Sequence, residues 1–177
     1  MRILSDRTDL AHLYCSKLVL CYLFQDFPQA AANAQELEKY LNGVVGTIIV
    51  PLFNFYDSLT ALALYSDALP LAQAGLLEKV TVNQAQMQKW AHHAPMNLLH
   101  KFYLVEAERH RVLRQKAEAI EMYERAIANA TVHEYLNEQA LANELAGRFY
   151  LQWGKDSTLS TTWSLKSYKG LLMLTAQ

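Results

Sequence analysis

The chain has 177 residues, of which 52% are hydrophobic and 19% charged, enough apolar material for one domain with a real core and too much for a disordered chain. The formal net charge is −1, with acids and bases mixed, which argues against a broad nucleic-acid surface because that needs a basic stripe; a small basic patch stays open. Six glycines and four prolines are few interruptions, and favour long helices over many-stranded sheets.

In chain order, residues 1–7 read as a polar lead. Thr8 is then the expected N-cap of a helix from about Asp9 to Phe24 that carries Leu10, Leu13, Tyr14, Leu18, Cys21 and Tyr22. Cys15 and Cys21 are the only cysteines. On one helix they point in different directions and cannot bridge each other. Two unpaired thiols without a signal peptide fit a reducing cytoplasm, and burial as structural thiols is expected for both. Asp26-Phe27-Pro28-Gln29 restarts a helix: Asp26 can cap, Pro28 suits the first turn, and Gln29 stands three after the cap. This helix is expected to reach about Leu41 and to end on Asn42-Gly43, with Gly43 in the left-handed conformation.

Val44 to Val50 is β-branched and could be a strand. A lone strand among helices leaves its backbone groups unpaired, so a helix start or ordered loop is expected instead. The most apolar window, Val44 to Phe55, holds Gly46, Thr47, Pro51 and Asn54 and is shorter than the roughly 20 residues a bilayer requires, so no membrane association is expected. Helices follow from about Ile49 to Tyr65 and from about Leu71 to His93, with a break at Ser66–Pro70. Gly75 and Thr81 are mild weaknesses in the second of them.

The clearest local pattern runs from Pro95 to Ala130. Leu98, Phe102, Val105 and Val112 share one face, and Leu99, Tyr103, Ala107 and His110 a neighbouring one, so this helix should have partners on two sides. Arg111–Lys116 is the expected turn, and a second helix runs through Ala119, Ile120, Tyr123, Ala126, Ile127 and Ala130. Glu121 and Arg125 stand four apart in the favourable order for an exposed pair. Ala107, Ala119 and Ala126 fall where a tetratricopeptide repeat, a helix–turn–helix unit, needs small side chains for its helices to approach, and the hairpin resembles that repeat. An ordinary antiparallel helix pair is the plain alternative. Cys21 to Ala31 has a similar aromatic–turn–aromatic–alanine pattern with Ala30 in the place of Ala119, and two such hairpins favour a repeat array. After a turn at Thr131–Glu134, a helix from about Tyr135 to Trp153 presents Leu141, Leu145, Ala146, Phe149 and Tyr150 inward. The pattern fails from Asp156 to Gln177. That tail is rich in serine and threonine, has no alanine where a further repeat helix needs one, and is expected to be weakly structured. The expected fold is therefore an all-α, right-handed stack of antiparallel hairpins over residues 1–155, with a divergent tail at 156–177.

Catalytic signals are weak. His92, His93 and His100 surround the Ala94-Pro95 turn, but neighbouring histidines point apart and the spacing fits no standard metal pattern, so a polar corner between helices is expected and no metal or cofactor. Glu106, Glu108, Glu118 and Glu121 alternate with Arg109, Arg111 and Arg125, which reads as a solvated face rather than a carboxylate pair for acid–base work. No glycine-rich phosphate loop occurs. The aromatics Phe53, Tyr56, Phe102 and Tyr103 could line a concave groove for a peptide or belong to the core. Phe149 and Tyr150 would be left uncovered by an incomplete last repeat and are candidates for self-association.

Four longer strings carry a resemblance: PLFNFYDSLTALAL (51–64), WAHHAPMNLLHKFYLVEAERHRVL (90–113), AIEMYERAIANA (119–130) and EQALANELAGRFYLQWGK (138–155). They resemble the tetratricopeptide-like region of the large multi-sensor signalling kinases familiar from cyanobacteria. In those, a serine/threonine kinase-like domain and an AAA-type ATPase precede the array, and sensor and histidine kinase domains follow. The resemblance covers residues 10 to 155. It implies a non-catalytic, cytoplasmic scaffold or protein-interaction segment with a protein or peptide partner. None of the catalytic residues of those kinases has a counterpart here, and the tail departs from the pattern as a replacement ending or a shifted reading frame would. The alternatives are a DNA-linked regulator of the ATPase-activator type, or a truncated gene fragment without independent function.

Overall fold

The computed structural model describes residues 2–154, with side chains from Arg7 onward. Over that range the chain is all-helical, and no strand occurs among the described residues. Seven α-helices follow in order: α1 (Arg2–Leu23), α2 (Phe27–Glu38), α3 (Ile49–Leu64), α4 (Pro70–His93), α5 (Pro95–Val112), α6 (Lys116–Val132) and α7 (Leu136–Gly154). None of the described helices is long and apolar enough to cross a membrane.

The first helix begins at Arg2, not at Asp9, because nothing between Arg2 and Thr8 breaks it, and Thr8 is internal to it. Asp26 caps α2 as its sequence requires, Oδ1 accepting the Gln29 N–H at 3.2 Å, with Pro28 in the first turn. The end of α2 differs from expectation. The helix stops at Glu38 and tightens through three-residue hydrogen bonds into a short 3-10 turn at Leu41–Gly43. That tightening removes the need for a left-handed cap at Gly43; the left-handed glycine is Gly46, at φ 82°. Thr47 then organises the entry to α3, its hydroxyl donating to the Val44 carbonyl at 2.7 Å and accepting from the Ile49 N–H at 3.3 Å. The β-branched stretch is thus a turn and a helix start.

Three connections share one geometry. Gln25, Arg114 and Glu134 each take a positive φ of 60–64° just past a helix. In each turn the next residue reaches back five positions: Asp26 N–H to Cys21, Gln115 N–H to His110 and Tyr135 N–H to Ala130, all at 2.9 Å. This is the Schellman closure usually made with glycine, here made with polar residues.

Every helix packs on its successor, and α1, α3, α5 and α7 also touch in sequence, each on the next odd-numbered helix. The most extensive pair is α5–α6. There Ala107, Ala119 and Ala126 are at most 1% exposed, as is Ala30 in α2, so the small residues do lie where helices approach. The centre is α3. Residues 53–62 are all buried, as befits a helix with neighbours on every side. Its Ser58 and Thr60 tolerate burial because their hydroxyls donate to the carbonyls of Asn54 and Tyr56, at 2.7 Å each. The expected tail at 156–177 lies outside the described residues.

Candidate interaction groove

The odd-numbered helices converge on a groove of about 490 Å³. The end of α1 contributes Tyr22 and Leu23, α3 contributes Ala63, α5 contributes Glu108 and Arg111, and α7 contributes Leu141, Leu145, Arg148 and Leu151. Because helices from four parts of the chain supply its walls, the groove exists only when they are stacked side by side. Leu23 and Leu151 are 47% and 60% exposed on its rim.

Its floor is built on a carboxylate that the sequence reading assigned to a solvated face. Glu108 is 4% exposed. It accepts from the Tyr123 hydroxyl, and the Arg111 guanidinium donates to it at 2.7 and 2.9 Å. The correction has a simple reason. Leu98, Lys101, Val105 and Glu108 recur at helical spacing and form the inward stripe of α5, so Glu108 follows its position on the helix and not its charge. A buried carboxylate needs a cation and a donor, and Arg111 one turn on and Tyr123 from α6 provide both. Burial raises the Tyr123 phenol well above its ordinary range, and the adjacent Glu108 raises it further. Tyr22 is raised by burial and then by the charge of Glu108. Burial works against the Arg111 charge, but Glu108 more than offsets it. On the rim, Arg148 and Glu144 pair at 2.5 Å.

A second concavity of about 850 Å³ adjoins the first and shares Arg111, Phe149 and Gln152 with it. It lies between the α5–α6 turn and the end of α7, and Tyr65, Arg114, Lys116 and Trp153 face it.

Two further polar clusters are internal braces. Lys101, also on the inward stripe of α5, is 4% exposed. Its ammonium pairs with Glu138 at 2.7 Å, lies 4.9 Å from the Tyr135 ring centre, and meets Nε2 of His100 at 2.9 Å. Since an ammonium only donates, Nε2 of His100 must be the bare nitrogen. His100 stacks on Tyr135 and its pKa is lowered to about 4, by burial and then by the Lys101 charge. Burial lowers the pKa of Lys101 as well, against the opposing pull of Glu138. Between α3 and α4, buried Asp57 accepts from Lys79 at 2.6 Å and from Asn83 at 3.0 Å. In the second cluster the partners satisfy one another; in the first, Nδ1 of His100 is buried without a hydrogen-bond partner.

The aromatic candidates divide cleanly. Phe53, Tyr56 and Phe149 are buried in the core, at 5, 8 and 6% exposed, and Phe102, Tyr103 and Tyr150 are half-buried against it. Of the six, Phe149 lines both the groove and its adjoining concavity, and Phe53 lines a third, of about 360 Å³, beside Asp57, Lys79 and Asn83. Along α7 the large exposed hydrophobic residues are Leu136 and Leu151 rather than Phe149. His92 and His93 are exposed, with their rings 5.3 Å apart edge to face, so they neither point apart nor join His100 in its buried corner. No group of three or more His, Cys, Asp or Glu side chains able to hold a metal ion exists among the described residues. Cys15 is buried and Cys21 half-buried, both as free thiols. The groove residues that sequence reasoning missed are Glu108, Arg111 and Arg148. Their signal was weak: Glu108 stands three before Arg111 and on the apolar stripe of α5, which distinguishes it from the exposed Glu118 and Glu121.

No protein-family model, no curated protein and no solved structure matches the chain.

Proposed function

We propose that this chain is a helical-repeat interaction scaffold, a tetratricopeptide-like stack of hairpins that takes a peptide segment of a partner protein on the face shared by its odd-numbered helices. The observation that carries the reading is the groove itself. Four helices separated in sequence each give side chains to one concave face, and the contacts of α1 with α3, α3 with α5 and α5 with α7 are those a stack of hairpins requires. The repeated turn geometry and the buried alanines at the helix approaches support the same reading. The buried charges of Asp57, Lys101 and Glu108 are each paired within the fold, as structural braces are. The resemblance of four strings to the array of multi-sensor kinases is the basis for reading the scaffold as a connector between enzymatic and sensory parts in signal transduction.

The test is a selection from a random-peptide display library against the full chain. The proposal expects enriched peptides whose binding falls when the rim is altered by Leu23→Asp or Leu151→Asp, both exposed positions. Failure to enrich any peptide, or binding indifferent to both substitutions and to changes in the adjoining concavity, would overturn it.

A further inference from the structure

We propose that the concavity between the α5–α6 turn and the end of α7 is the docking site for an acidic, aromatic-bearing segment of a partner protein. This rests on the scaffold reading and adds the chemistry of the partner.

The charge of this surface is one-sided. None of its twelve lining residues is an aspartate or glutamate, whereas Arg111, Arg114 and Lys116 all face it. The chain as a whole has a net charge of −1, so this is a local departure. Arg111 is already neutralised by Glu108, which leaves Arg114 and Lys116 as the effective charges. Among the described residues neither has a carboxylate within salt-bridge distance. Both are exposed. The left-handed backbone at Arg114, φ 60°, sets this side chain on the turn itself rather than on a helix face with an intrahelical partner.

The opposite wall is aromatic. Phe149 and Trp153 from α7 line it together with Tyr65, and the Lys116 ammonium lies 5.1 Å from the Trp153 ring centre. A cation held over an aromatic face beside a second cation suits a carboxylate, and the aromatic wall suits a neighbouring ring or aliphatic side chain. At about 850 Å³ the concavity has room for several side chains. The chain's own residues 155–177 are mismatched to it, since they carry Lys155, Lys166 and Lys169 against the single acid Asp156. Single-stranded nucleic acid also uses basic and aromatic groups, but its affinity comes from a groove that tracks many phosphates. Two cations, neither with a carboxylate partner among the described residues, favour a short acidic peptide.

The experiment compares the full chain with Arg114→Glu/Lys116→Glu, both exposed sites, after circular dichroism and thermal melting show the variant folded. The random-peptide selection is repeated on each. Enriched peptides are then measured by fluorescence anisotropy at two salt concentrations, with a fluorescein-labelled oligo-dT as second probe. The expected result is enrichment of peptides with two or more acids beside an aromatic residue, with affinity falling as salt rises and weakened at least roughly tenfold in the double variant. Enriched peptides that lack acids, or that bind both proteins equally, overturn this assignment while leaving the scaffold reading intact. Oligo-dT binding tighter than any peptide overturns it in favour of nucleic acid. A selection that enriches nothing overturns both.

Discussion

Replacing Glu108 with glutamine removes a charge from the floor of the groove and changes almost nothing in shape. The amide can still accept from the Tyr123 hydroxyl, but the Arg111 guanidinium loses its anion. Breaking a buried pair from one side costs about 3–5 kcal/mol. The Arg111 side chain is 21% exposed and Glu108 only 5%, so water recovers part of that loss for the arginine. The expected destabilisation is roughly 2–3 kcal/mol, which for a chain of this size lowers Tm by about 5–10 °C. Urea unfolding followed by circular dichroism measures it, with the slope held to that of the parent so that the change is one of stability. The double variant Glu108→Gln/Arg111→Met should lose less than the sum of the two single changes, because each removes the other's unpaired partner. A Glu108→Gln protein within about 0.5 kcal/mol of the parent would refute the idea that this carboxylate holds the groove floor together.

Acid should destabilise the fold through His100. Its pKa falls from 6.5 unfolded to about 4 folded, so the folded state resists protonation. The contribution is complete above about pH 6.5 and is lost as pH falls towards 4, by at most roughly 3 kcal/mol. His100→Phe, which keeps a ring against Tyr135, should flatten the profile of stability against pH over that window; an unchanged profile would rule His100 out as its source. Alkali acts through Tyr123. A phenol raised above its unfolded pKa of 10 stabilises fully below that value and progressively less above it, and in Tyr123→Phe the loss of stability above pH 10 should be shallower in pH-dependent urea melts. Glycine at Gln25, Arg114 or Glu134 should stabilise by about 0.5–1 kcal/mol each, because all three occupy left-handed backbone; thermal melts that move down in all three would contradict the turn assignment. Ala107→Leu, at a fully buried approach of α5 and α6, should cost about 1–3 kcal/mol by overpacking, and a neutral result would mean the helices there are not in close contact.

Much of the fold was legible because it rests on local rules. Asp26-Phe27-Pro28-Gln29 specified a cap that depends on four adjacent residues, and Pro95 marks a helix start that needs no distant partner. The alanines at 107, 119 and 126 were legible for a different reason, since smallness at a fixed helical spacing has few explanations besides close approach. What was hidden depended on tertiary company. Glu108 and Lys101 look like surface charges until the stripe of α5 is laid against α6 and α7, where Tyr123 and Glu138 wait for them. The aromatics could not be divided because Phe53 and Phe102 have the same local surroundings in sequence. Only the all-round burial of α3 separates them. The groove is a meeting of Leu23, Arg111 and Leu151, which no spacing rule connects.

The convergence of α1, α3, α5 and α7 on one concave face is the claim on which the rest depends. It can be tested by cysteines at Leu23 and Leu151, with Cys15 and Cys21 replaced by alanine, and a short bis-maleimide added at high dilution. Both positions are exposed and line the same groove although 128 positions separate them in sequence. The account predicts rapid intramolecular cross-linking, seen as a monomer of altered mobility and a single linked peptide by mass spectrometry. Cross-links that form only between chains, or single-ended adducts alone, would contradict it.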